Sequence, residues 1–469
     1  MDEIKDLQEL DYEALHDKHS DELMELLDSK QMKELQRRME ELNEFDVAEF
    51  LSELDEHRMP MVFRLLSKET AAEVFANFEA PEQEEIINSI TDSELASIIE
   101  ELYVDDAVDM MEELPANIVK RVMRTATPST RNLINQYLHY PENSAGSIMT
   151  SEYVDLKKYM NVRESIARIR RIGEDRETIY VCFVISADRK LEGIVTVKDL
   201  LLNDDEEVIE NLMDRNVVFA TTTEDQESVS EKFSDYDLMA LPVVDLEGRL
   251  VGIVTVDDVI DVMEQETTED FEIMASMTPS DKPYSRTGTF EMWKNRIPWL
   301  MFLMLSATFT SMILTHFENM LAVQAGLVAF IPMLMGTGGN SGAQSSTAVI
   351  RSLSLGDTEP RDALRVIWKE LRVSLCCGIT LALVNFGKML LLDGLILSNP
   401  NITLSVAATV SLSIVFIVMF AKVVGSMLPI LAEKIGVDPA VMANPLISTL
   451  TDAVSLLIYI YIAKLILHI

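Results

Sequence analysis

The sequence is poor in cysteine, histidine and positive charge. Three cysteines in 469 residues exclude a disulfide framework and a Cys-rich zinc module. The 39 Lys and Arg residues stand against 78 Asp and Glu, a formal net charge of −39, which has the wrong sign for a nucleic-acid-binding protein. The chain contains neither a Walker A nor a G-x-S-x-G motif, so a conventional enzyme is not expected. The first ten residues are acidic and lack the apolar core of a cleaved signal peptide.

The charge is distributed unevenly along the chain. Residues 291–469 contain 10 acidic and 11 basic residues, which leaves 68 acidic and 28 basic residues in 1–290. The first part therefore has a net charge of −40 and is predicted to be soluble. The second part is nearly neutral and contains long uncharged stretches.

These uncharged stretches predict transmembrane helices, since a span needs about 20 apolar residues. We expect five spans, at 295–316, 321–350, 365–392, 402–431 and 445–467. The second is too long for one straight helix and is expected to be broken. Basic residues precede the first span and separate the second from the third, which predicts that these loops are cytoplasmic. The acidic part is then cytoplasmic, and the C-terminus lies outside a plasma or bacterial inner membrane.

Residues 40–125 repeat with a period of 24. Ala48, Ala72 and Ala96 align, and apolar residues recur within each unit at helical spacing. The pattern predicts an all-α superhelical N-terminal domain over residues 1–135, built from stacked short helices.

The acidic face of this domain permits two interpretations. Asp105, Asp106 and Asp109 lie within about one helical turn, and like charges at that spacing repel each other unless something neutralises them. The face is either a set of cation sites or a solvated surface of a purely structural domain.

A longer repeat occupies residues 140–264. The sequence G-I-V-T-V-K-D at Gly193 recurs as G-I-V-T-V-D-D at Gly252, in each case after an apolar strand and a turn. The repeat resembles a tandem pair of α/β CBS domains. In many CBS domains the Thr and Asp of this motif face the ribose of ATP or a related adenine nucleotide. Other CBS pairs bind no nucleotide and act as dimerisation modules. The candidate nucleotide-binding residues are Thr196, Asp199, Thr255 and Asp258.

Residues 265–290 join the CBS pair to the first span. They are long enough for one helix of roughly 15 residues and a short linker. This connecting helix must transmit what the soluble part senses to the transmembrane domain, residues 291–469.

The second span contains a glycine-rich segment from Pro332 to Gln344. Its four glycines and proline predict interrupted helical hydrogen bonding, which is tolerated at membrane depth where the backbone lines a wet cavity. The freed carbonyls, together with Asn340 and Gln344, would offer neutral oxygens to an ion. Small residues also permit close helix packing, and the segment alone does not decide between these interpretations.

Asp452 lies within the apolar last span. Asn444 and Pro445 are typical of an N-cap and a first helical position, which places Asp452 about 10 Å along the helix. An ionisable residue at such a depth is a candidate functional site. We predict a cation pathway, and the alternative is a salt bridge to Lys422 in the fourth span.

The predicted ligands of the cation are all oxygens. No Cys or His lies near Asp452 or the glycine segment, which disfavours soft metals. One carboxylate per chain is too few for dehydrated Ca²⁺, whereas Mg²⁺ keeps its water and is held by one or two carboxylates. Two chains around an axis would bring two Asp452 side chains together. The residues favour Mg²⁺ and leave Mn²⁺ and Co²⁺ open.

The order of an acidic helical domain, a CBS pair, a connecting helix and five spans is similar to that of the MgtE family of magnesium channels. The segments P-x(5)-G-G-N-x-G-x-Q and N-P-x(5)-T-D match its pore motifs. The resemblance implies a homodimer with the pore on its two-fold axis. It also implies a hydrated Mg²⁺ held by Asp452, with support from Asn444 and a backbone carbonyl near Ser448.

The resemblance further implies that cytoplasmic Mg²⁺ closes the channel by binding between the soluble domains and the connecting helix. Bound Mg²⁺ would bridge like charges on neighbouring domains, which repel each other when Mg²⁺ is scarce. The regulatory carboxylates carried over by position are Glu73, Asp105, Asp109, Asp225, Glu227, Asp237, Asp258, Asp261, Glu266, Glu269, Asp270 and Asp438.

Two other functions remain open. The first is a secondary transporter that couples Mg²⁺ to H⁺ or Na⁺, which a titratable Asp452 permits, although one carboxylate provides no separate coupling site. The second is a membrane-tethered adenine-nucleotide sensor without transport, which the intramembrane Asp452 argues against.

Overall fold

The chain forms two compact units, Met1–Met263 and Glu264–Ile469. The structure is a computed structural model, and it describes residues 12–280, 284, 287–323, 325–396, 403–442 and 444–468. The first unit contains short helices followed by two small sheets, and the second is helical. The predicted fold class, a helical N domain, a CBS pair and a helical membrane domain, is confirmed.

The first unit begins with ten helices. They are α1 (Tyr12–Asp28), α2 (Met32–Met39), α3 (Glu44–Ser52), α4 (Arg58–Phe63), α5 (Lys68–Ala76), α6 (Ala80–Ser89), α7 (Asp92–Glu101), α8 (Val104–Glu113), α9 (Ala116–Thr125) and α10 (Pro128–Tyr137). The helices α3, α5, α7 and α9 begin 24 residues apart, as the repeat predicts. Asn43, Ser67 and Thr91 follow the same period, and each side chain accepts a backbone hydrogen bond at the start of its helix.

Two three-stranded sheets follow the helices. The first contains β1 (Asp155–Leu156), β2 (Val181–Ile185) and β3 (Leu191–Thr196), and the second contains β4 (Ala220–Thr221), β5 (Ala240–Val244) and β6 (Leu250–Thr255). In each sheet the first strand is parallel to the second, and the second is antiparallel to the third. The accompanying helices are α11 (Val162–Ile172), α12 (Val197–Leu202), α13 (Ile209–Leu212) and α14 (Gln226–Tyr236).

The glycine of each repeat motif permits the two CBS copies to pair reciprocally. The backbone of Ile253 exchanges hydrogen bonds with Thr150, and that of Ile194 with Asp214. A Cβ at Gly252 would lie 2.7 Å from the carbonyl oxygen of Thr150, and one at Gly193 would lie 2.8 Å from that of Asp214. The motif therefore requires glycine because another backbone approaches closely.

The last helix of the CBS pair continues without a break as the connecting helix. This helix, α15, runs over Val256–Met274, so it begins within the residues predicted for the second CBS copy. Asp258 and Asp270 consequently lie on one helix, about 18 Å apart along its axis.

The second unit contains seven further helices. They are α16 (Thr289–His316), α17 (Glu318–Val323), α18 (Ala325–Val328), α19 (Ile331–Ser354), α20 (Ala363–Lys388), α21 (Leu404–Lys434) and α22 (Asn444–Leu467). Four helical stretches among the described residues are long and apolar enough to cross a membrane: Thr289–His316, Pro360–Leu392, Leu404–Lys434 and Pro439–Leu467. They correspond to four of the five predicted spans.

The remaining predicted span, 321–350, is divided, but not at its glycines. The described break lies at residues 329–330, between α18 and α19, and α19 is continuous over 24 residues, about 36 Å, through all four glycines. The prediction that the glycines free backbone carbonyls was therefore wrong. They permit close packing instead: a Cβ at Gly425 of α21 would lie 2.2 Å from the carbonyl oxygen of Gly342 in α19.

Candidate functional site

A cavity of about 420 Å³ lies between α19 and α22. Its described lining residues are Pro332, Met335, Gly336, Gly339, Asn340, Ser448 and Asp452. The α19 residues follow one another at three- and four-residue spacing and so share one face of the helix. Ser448 and Asp452, one turn apart, share a face of α22. The structure thus brings together the glycine segment and the intramembrane carboxylate, which are more than 100 positions apart in the sequence.

The glycines of α19 set the width of this cavity. Gly339 faces Ser448 so closely that a Cβ at that position would lie 3.2 Å from the serine hydroxyl. A Cβ at Gly338 would lie 2.7 Å from the hydroxyl of Ser455. Larger side chains at these positions would push α19 away from the helix that carries Asp452.

One predicted pore residue, Gln344, is not among the described lining residues of the cavity. Gln344 lies one turn beyond Asn340 on the same face of α19 and is exposed. Asn444 is the first described residue of α22, and its side chain lies outside the described residues.

Lys422 has a partner other than Asp452. Its ammonium group donates a hydrogen bond to the Ser345 hydroxyl at 3.3 Å. Among the ion pairs of the described residues there is none between Lys422 and Asp452, so the salt bridge considered as an alternative is not formed. The Asp452 carboxylate remains available to a cation in the cavity.

A group of carboxylates, of which Asp105 is buried, lies in the first unit where α8 meets α15. Burial raises the pKa of Asp105 well above its usual value, and one of its carboxylate oxygens is buried without a hydrogen-bond partner in the described residues. Burial and neighbouring carboxylates raise the pKa of Asp106 to about 6, of Asp109 to about 7 and of Asp258 to about 6. These side chains repel one another, and a bound cation would relieve that repulsion.

Sequence reasoning missed one member of this group. Burial and the charges of Asp258, Asp257, Asp106 and Glu152 raise the pKa of Glu177 to about 8. Glu177 lies in the loop between α11 and β2, and no repeat or motif marks it. Only its proximity to the α8 and α15 carboxylates identifies it.

A second group lies at the end of α15. Burial, Asp438 and Glu266 raise the pKa of Asp270 to about 6, while Arg351 lowers it. Asp438 lies just before the turn at Pro439–Met442 that leads into α22 and accepts a hydrogen bond from the backbone of Ala440 at 2.7 Å. Three predicted regulatory residues are therefore close together, near the start of the helix that carries Asp452.

The other predicted regulatory residues are dispersed among the described elements. Burial and the charges of Glu44 and Glu69 raise the pKa of Glu73 on α5. Asp225 caps α14 by accepting a hydrogen bond from the backbone of Glu227, whereas Asp237 ends the same helix about 18 Å away. Asp261 and Glu269 lie on α15.

None of these groups is a preformed site for a bare metal ion. The described residues contain no cluster of three or more His, Cys, Asp or Glu side chains that could hold one directly. Mg²⁺ keeps several of its waters when it binds proteins and is usually held by one or two carboxylates.

The candidate nucleotide-binding residues are used differently in the two CBS copies. In both, the Thr hydroxyl donates to the Asp carboxylate, at 2.5 Å from Thr196 to Asp199 and at 2.6 Å from Thr255 to Asp258. The first pair forms the capping box of α12 and is partly exposed. In the second pair Thr255 is buried, and Asp258 is half-buried and belongs to the carboxylate group on α8 and α15.

Three family models match consecutive parts of the chain. The MgtE intracellular N domain matches residues 42–143, and the CBS domain matches 145–205 and 209–265. The MgtE model, described as a divalent cation transporter, matches 331–462 and includes all the cavity-lining residues.

Proteins with similar sequences and a similar structure bear related names. The magnesium transporter MgtE of Thermus thermophilus is 39% identical over 450 residues, 95% of this chain and 98% of that protein. The magnesium transporter MgtE of Bacillus subtilis is 30% identical over 434 residues, 92% of this chain and 93% of that protein. The crystal structure of the soluble part of a magnesium transporter is similar at a TM-score of 0.52 and 30% identity, and the match covers 54% of this chain and 99% of that chain.

Proposed function

This chain belongs to the MgtE family of divalent cation transporters, and from that premise we propose that it is a Mg²⁺ channel whose ion path runs past Asp452. The family consists of transport proteins and not of enzymes. The observation that carries the proposal is the cavity between α19 and α22, where an intramembrane carboxylate faces the glycine segment.

The donor set of the cavity supports Mg²⁺ as the cargo. The side chains of Asp452, Asn340 and Ser448 bring carboxylate, amide and hydroxyl oxygens to it, and such hard ligands suit Mg²⁺. Six waters at about 30 Å³ each take up roughly 180 Å³. The cavity, of about 420 Å³, therefore has room for an ion that keeps its hydration shell.

A channel fits the cavity better than a coupled transporter. Asp452 is the single ionisable residue among the described lining residues. A coupled transporter would need a second titratable or Na⁺-binding site beside it. One carboxylate per chain also supports a homodimer, in which two Asp452 side chains would hold one hydrated ion on the two-fold axis.

We also propose that cytoplasmic Mg²⁺ closes the channel. The carboxylates on α8 and α15 and those around Asp270 and Asp438 repel one another when no cation is bound. Mg²⁺ would favour the packing that brings these groups together, and its loss would favour their separation. The first unit, Met1–Met263, is called the soluble unit from here on. It would lie in the cytoplasm, beneath the plasma membrane or bacterial inner membrane.

ATP or a related nucleotide is proposed to bind at the first CBS copy alone. Lys198, next to Asp199, is exposed, and its positive charge suits a phosphate group. The equivalent residue of the second copy is Asp257, next to the half-buried Asp258. Carboxylates there would repel phosphate, so the second copy suits a cation instead.

The test is Mg²⁺ influx into proteoliposomes that contain a trapped Mg²⁺ dye, at equal pH on both sides and with an inside-negative voltage. The face that carries the soluble unit is kept free of Mg²⁺. We expect flux from the wild type and a loss of at least about tenfold in Asp452→Ala and Asp452→Asn, because both remove the charge of the one carboxylate among the described lining residues.

Asp357→Ala, at an exposed loop position, is the matched control and should conduct like the wild type. Flux that requires a pH or Na⁺ gradient would instead support the coupled transporter. Absence of wild-type flux under every gradient would leave the membrane-tethered sensor.

A further inference from the structure

A lysine is buried within the membrane unit, away from the cavity. Lys422 lies in the middle of α21, and 5% of its surface is exposed. A charged side chain in this environment is costly unless it is paired and hydrogen bonded. We therefore expect a negatively charged side chain near Lys422 that offsets its charge.

The counter-charge reaches Lys422 through a serine. The buried Ser345 hydroxyl of α19 accepts from Lys422 at 3.3 Å and donates to the Glu370 carboxylate of α20 at 2.6 Å. The hydroxyl thus uses its proton and a lone pair to connect a cation and an anion on two other helices. We call Ser345, Glu370 and Lys422 the three-helix polar node.

The node lies on the back of the cavity-lining helix. At 100° per residue, Ser345 lies about 180° around α19 from Gly336 and about 120–140° from Gly339 and Asn340, so it points away from the cavity face. Next to the node, Gly342 and Gly425 bring α19 and α21 into backbone contact. The neighbouring Ser346 hydroxyl donates to the carbonyl oxygen of Met442 at 3.2 Å, in the turn that leads into α22.

These contacts give the node control over the position of α19. The node holds the back of α19 against α20 and α21. This contact sets the distance from the front of α19, at Gly339 and Asn340, to the α22 residues Ser448 and Asp452. Backbone contact at the glycines makes the interface tight, but it does not set the rotation of α19 about its axis. The directional hydrogen bonds of the node supply that restraint.

We propose that Ser345, Glu370 and Lys422 are positioning residues for the ion path, and this inference rests on the proposed cation-conducting function of the cavity. They do not touch the ion. They hold α19 so that its cavity face meets Asp452 at the spacing a hydrated Mg²⁺ requires.

The test is a double-mutant cycle of Glu370→Gln and Lys422→Met in proteoliposomes. Each single variant should raise the Mg²⁺ concentration for half-maximal flux by about tenfold. The half-maximal concentration of the double variant should be close to that of one single variant. The two effects should not multiply, because removing the second charge breaks no remaining pair. The Mg²⁺-to-Co²⁺ flux ratio should change as well.

A purely structural role would give a different result. It would reduce the amount of folded channel and lower the maximal flux of both ions equally, leaving the half-maximal concentration and the ion ratio unchanged. Effects of the two charge changes that multiply, or no effect, would also overturn the proposal. Lys464→Met, at an exposed lysine on α22, is the matched control and should match the wild type.

Ser345→Ala keeps both charges and removes a single oxygen, so it tests the node if the charge variants do not fold. It should shift the half-maximal concentration in the same direction. Unchanged transport in this variant would contradict the proposal. If the wild type conducts no Mg²⁺, the proposed function itself fails, and that outcome is distinct from normal conduction by every node variant.

Discussion

At the residue scale, the carboxylates of this chain lie in very different environments, although all are ordinary Asp and Glu side chains. Most acidic residues lie on solvated helix faces. A few, among them Asp105, Asp109 and Glu177, lie in a group with other carboxylates, and loss of solvation together with the neighbouring charges raises their pKa values. Ionised carboxylates held in this way destabilise the folded first unit, and a cation or a proton relieves that cost.

Replacing Glu177 with glutamine should stabilise the first unit at alkaline pH. Burial and neighbouring carboxylates raise the folded-state pKa of Glu177 from its usual value of 4.5 to about 8. The folded form therefore binds more protons between these values, and the free energy of unfolding falls as pH rises through that window. Glu177→Gln removes this loss. Its unfolding temperature, measured by scanning calorimetry at pH 8.5 without Mg²⁺, should exceed that of the wild type. The increase should be about 2–4 °C for each kcal/mol of stability gained.

At pH 4.5 and below, the same substitution should produce little change, because wild-type Glu177 is then protonated in the folded state. Glu174→Gln, at an exposed position three residues earlier, serves as the control and should leave the transition unchanged at both pH values. An equal shift in the two variants at pH 8.5 would contradict the assignment to Glu177.

At the element scale, α19 is the helix on which the cavity depends. Its front face carries Gly339 and Asn340, its back carries Ser345, and Gly342 contacts Gly425 of α21. Four glycines would weaken an isolated helix by about 1 kcal/mol each relative to alanine. Here that loss is offset by close packing against α21 and α22.

A methyl group at the α19–α21 contact should disrupt the second unit. Gly425→Ala would place a Cβ 2.2 Å from the carbonyl oxygen of Gly342, which forces the backbones apart. We expect a loss of at least about 1–3 kcal/mol from overpacking. All three tryptophans lie in the second unit, at 293, 299 and 368, so intrinsic fluorescence during thermal unfolding in detergent reports on it.

Gly387→Ala is the matched control, since a Cβ there meets nothing within 4 Å. It replaces glycine by alanine in another helix of the same unit, α20, and should be neutral or stabilising. Similar melting of Gly425→Ala and the wild type would show that the two helices can separate without cost.

At the scale of the whole molecule, the dominant property is the net charge of −40 in residues 1–290. A chain with such an excess of acidic residues repels itself unless cations neutralise part of it. The family to which the chain belongs transports divalent cations. The same ion can therefore be cargo in the cavity and a ligand of the soluble unit.

Removing the carboxylates at the end of α15 should make closure by cytoplasmic Mg²⁺ less sensitive. Asp270→Asn combined with Asp438→Asn removes the Asp270 carboxylate and a neighbouring charge that raises its pKa. The Mg²⁺ concentration that halves flux, applied on the face of the soluble unit, should rise by about tenfold.

Maximal flux in Mg²⁺-free conditions should stay unchanged in that variant, because neither residue lines the described cavity. Asp357→Asn is the control for an exposed loop carboxylate in the same unit. If closure kept its wild-type sensitivity, this carboxylate group would not be a regulatory Mg²⁺ site.

The features predicted correctly from sequence were those with a local pattern. The 24-residue period is also the spacing of the helix starts and of the capping residues Asn43, Ser67 and Thr91. The copies of G-I-V-T mark two strands of matching register. Asp452 stays a predicted site residue, and the sequence singles it out because it is a charge within an apolar stretch.

Predictions failed or remained open where the answer depended on what lies opposite a residue. The glycines of α19 were expected to break the helix, yet close neighbours in α21 and α22 make a continuous helix favourable. Lys422 was considered as a partner of Asp452, but its hydrogen bond goes to Ser345. Local propensity alone does not distinguish a glycine that breaks a helix from one that permits close helix packing. The neighbouring helices decide which of the two occurs.

The sequence by itself determined the division into an acidic soluble part and an apolar helical part, the two repeats and the candidate residue Asp452, because periodicity and hydropathy are local properties of a chain. Tertiary structure alone decided which side chains share a site. Glu177 joins Asp105 and Asp258, Asn340 faces Asp452, and Ser345 connects Glu370 to Lys422. These residues are far apart in sequence, and only the packing of helices brings their charges within interacting distance.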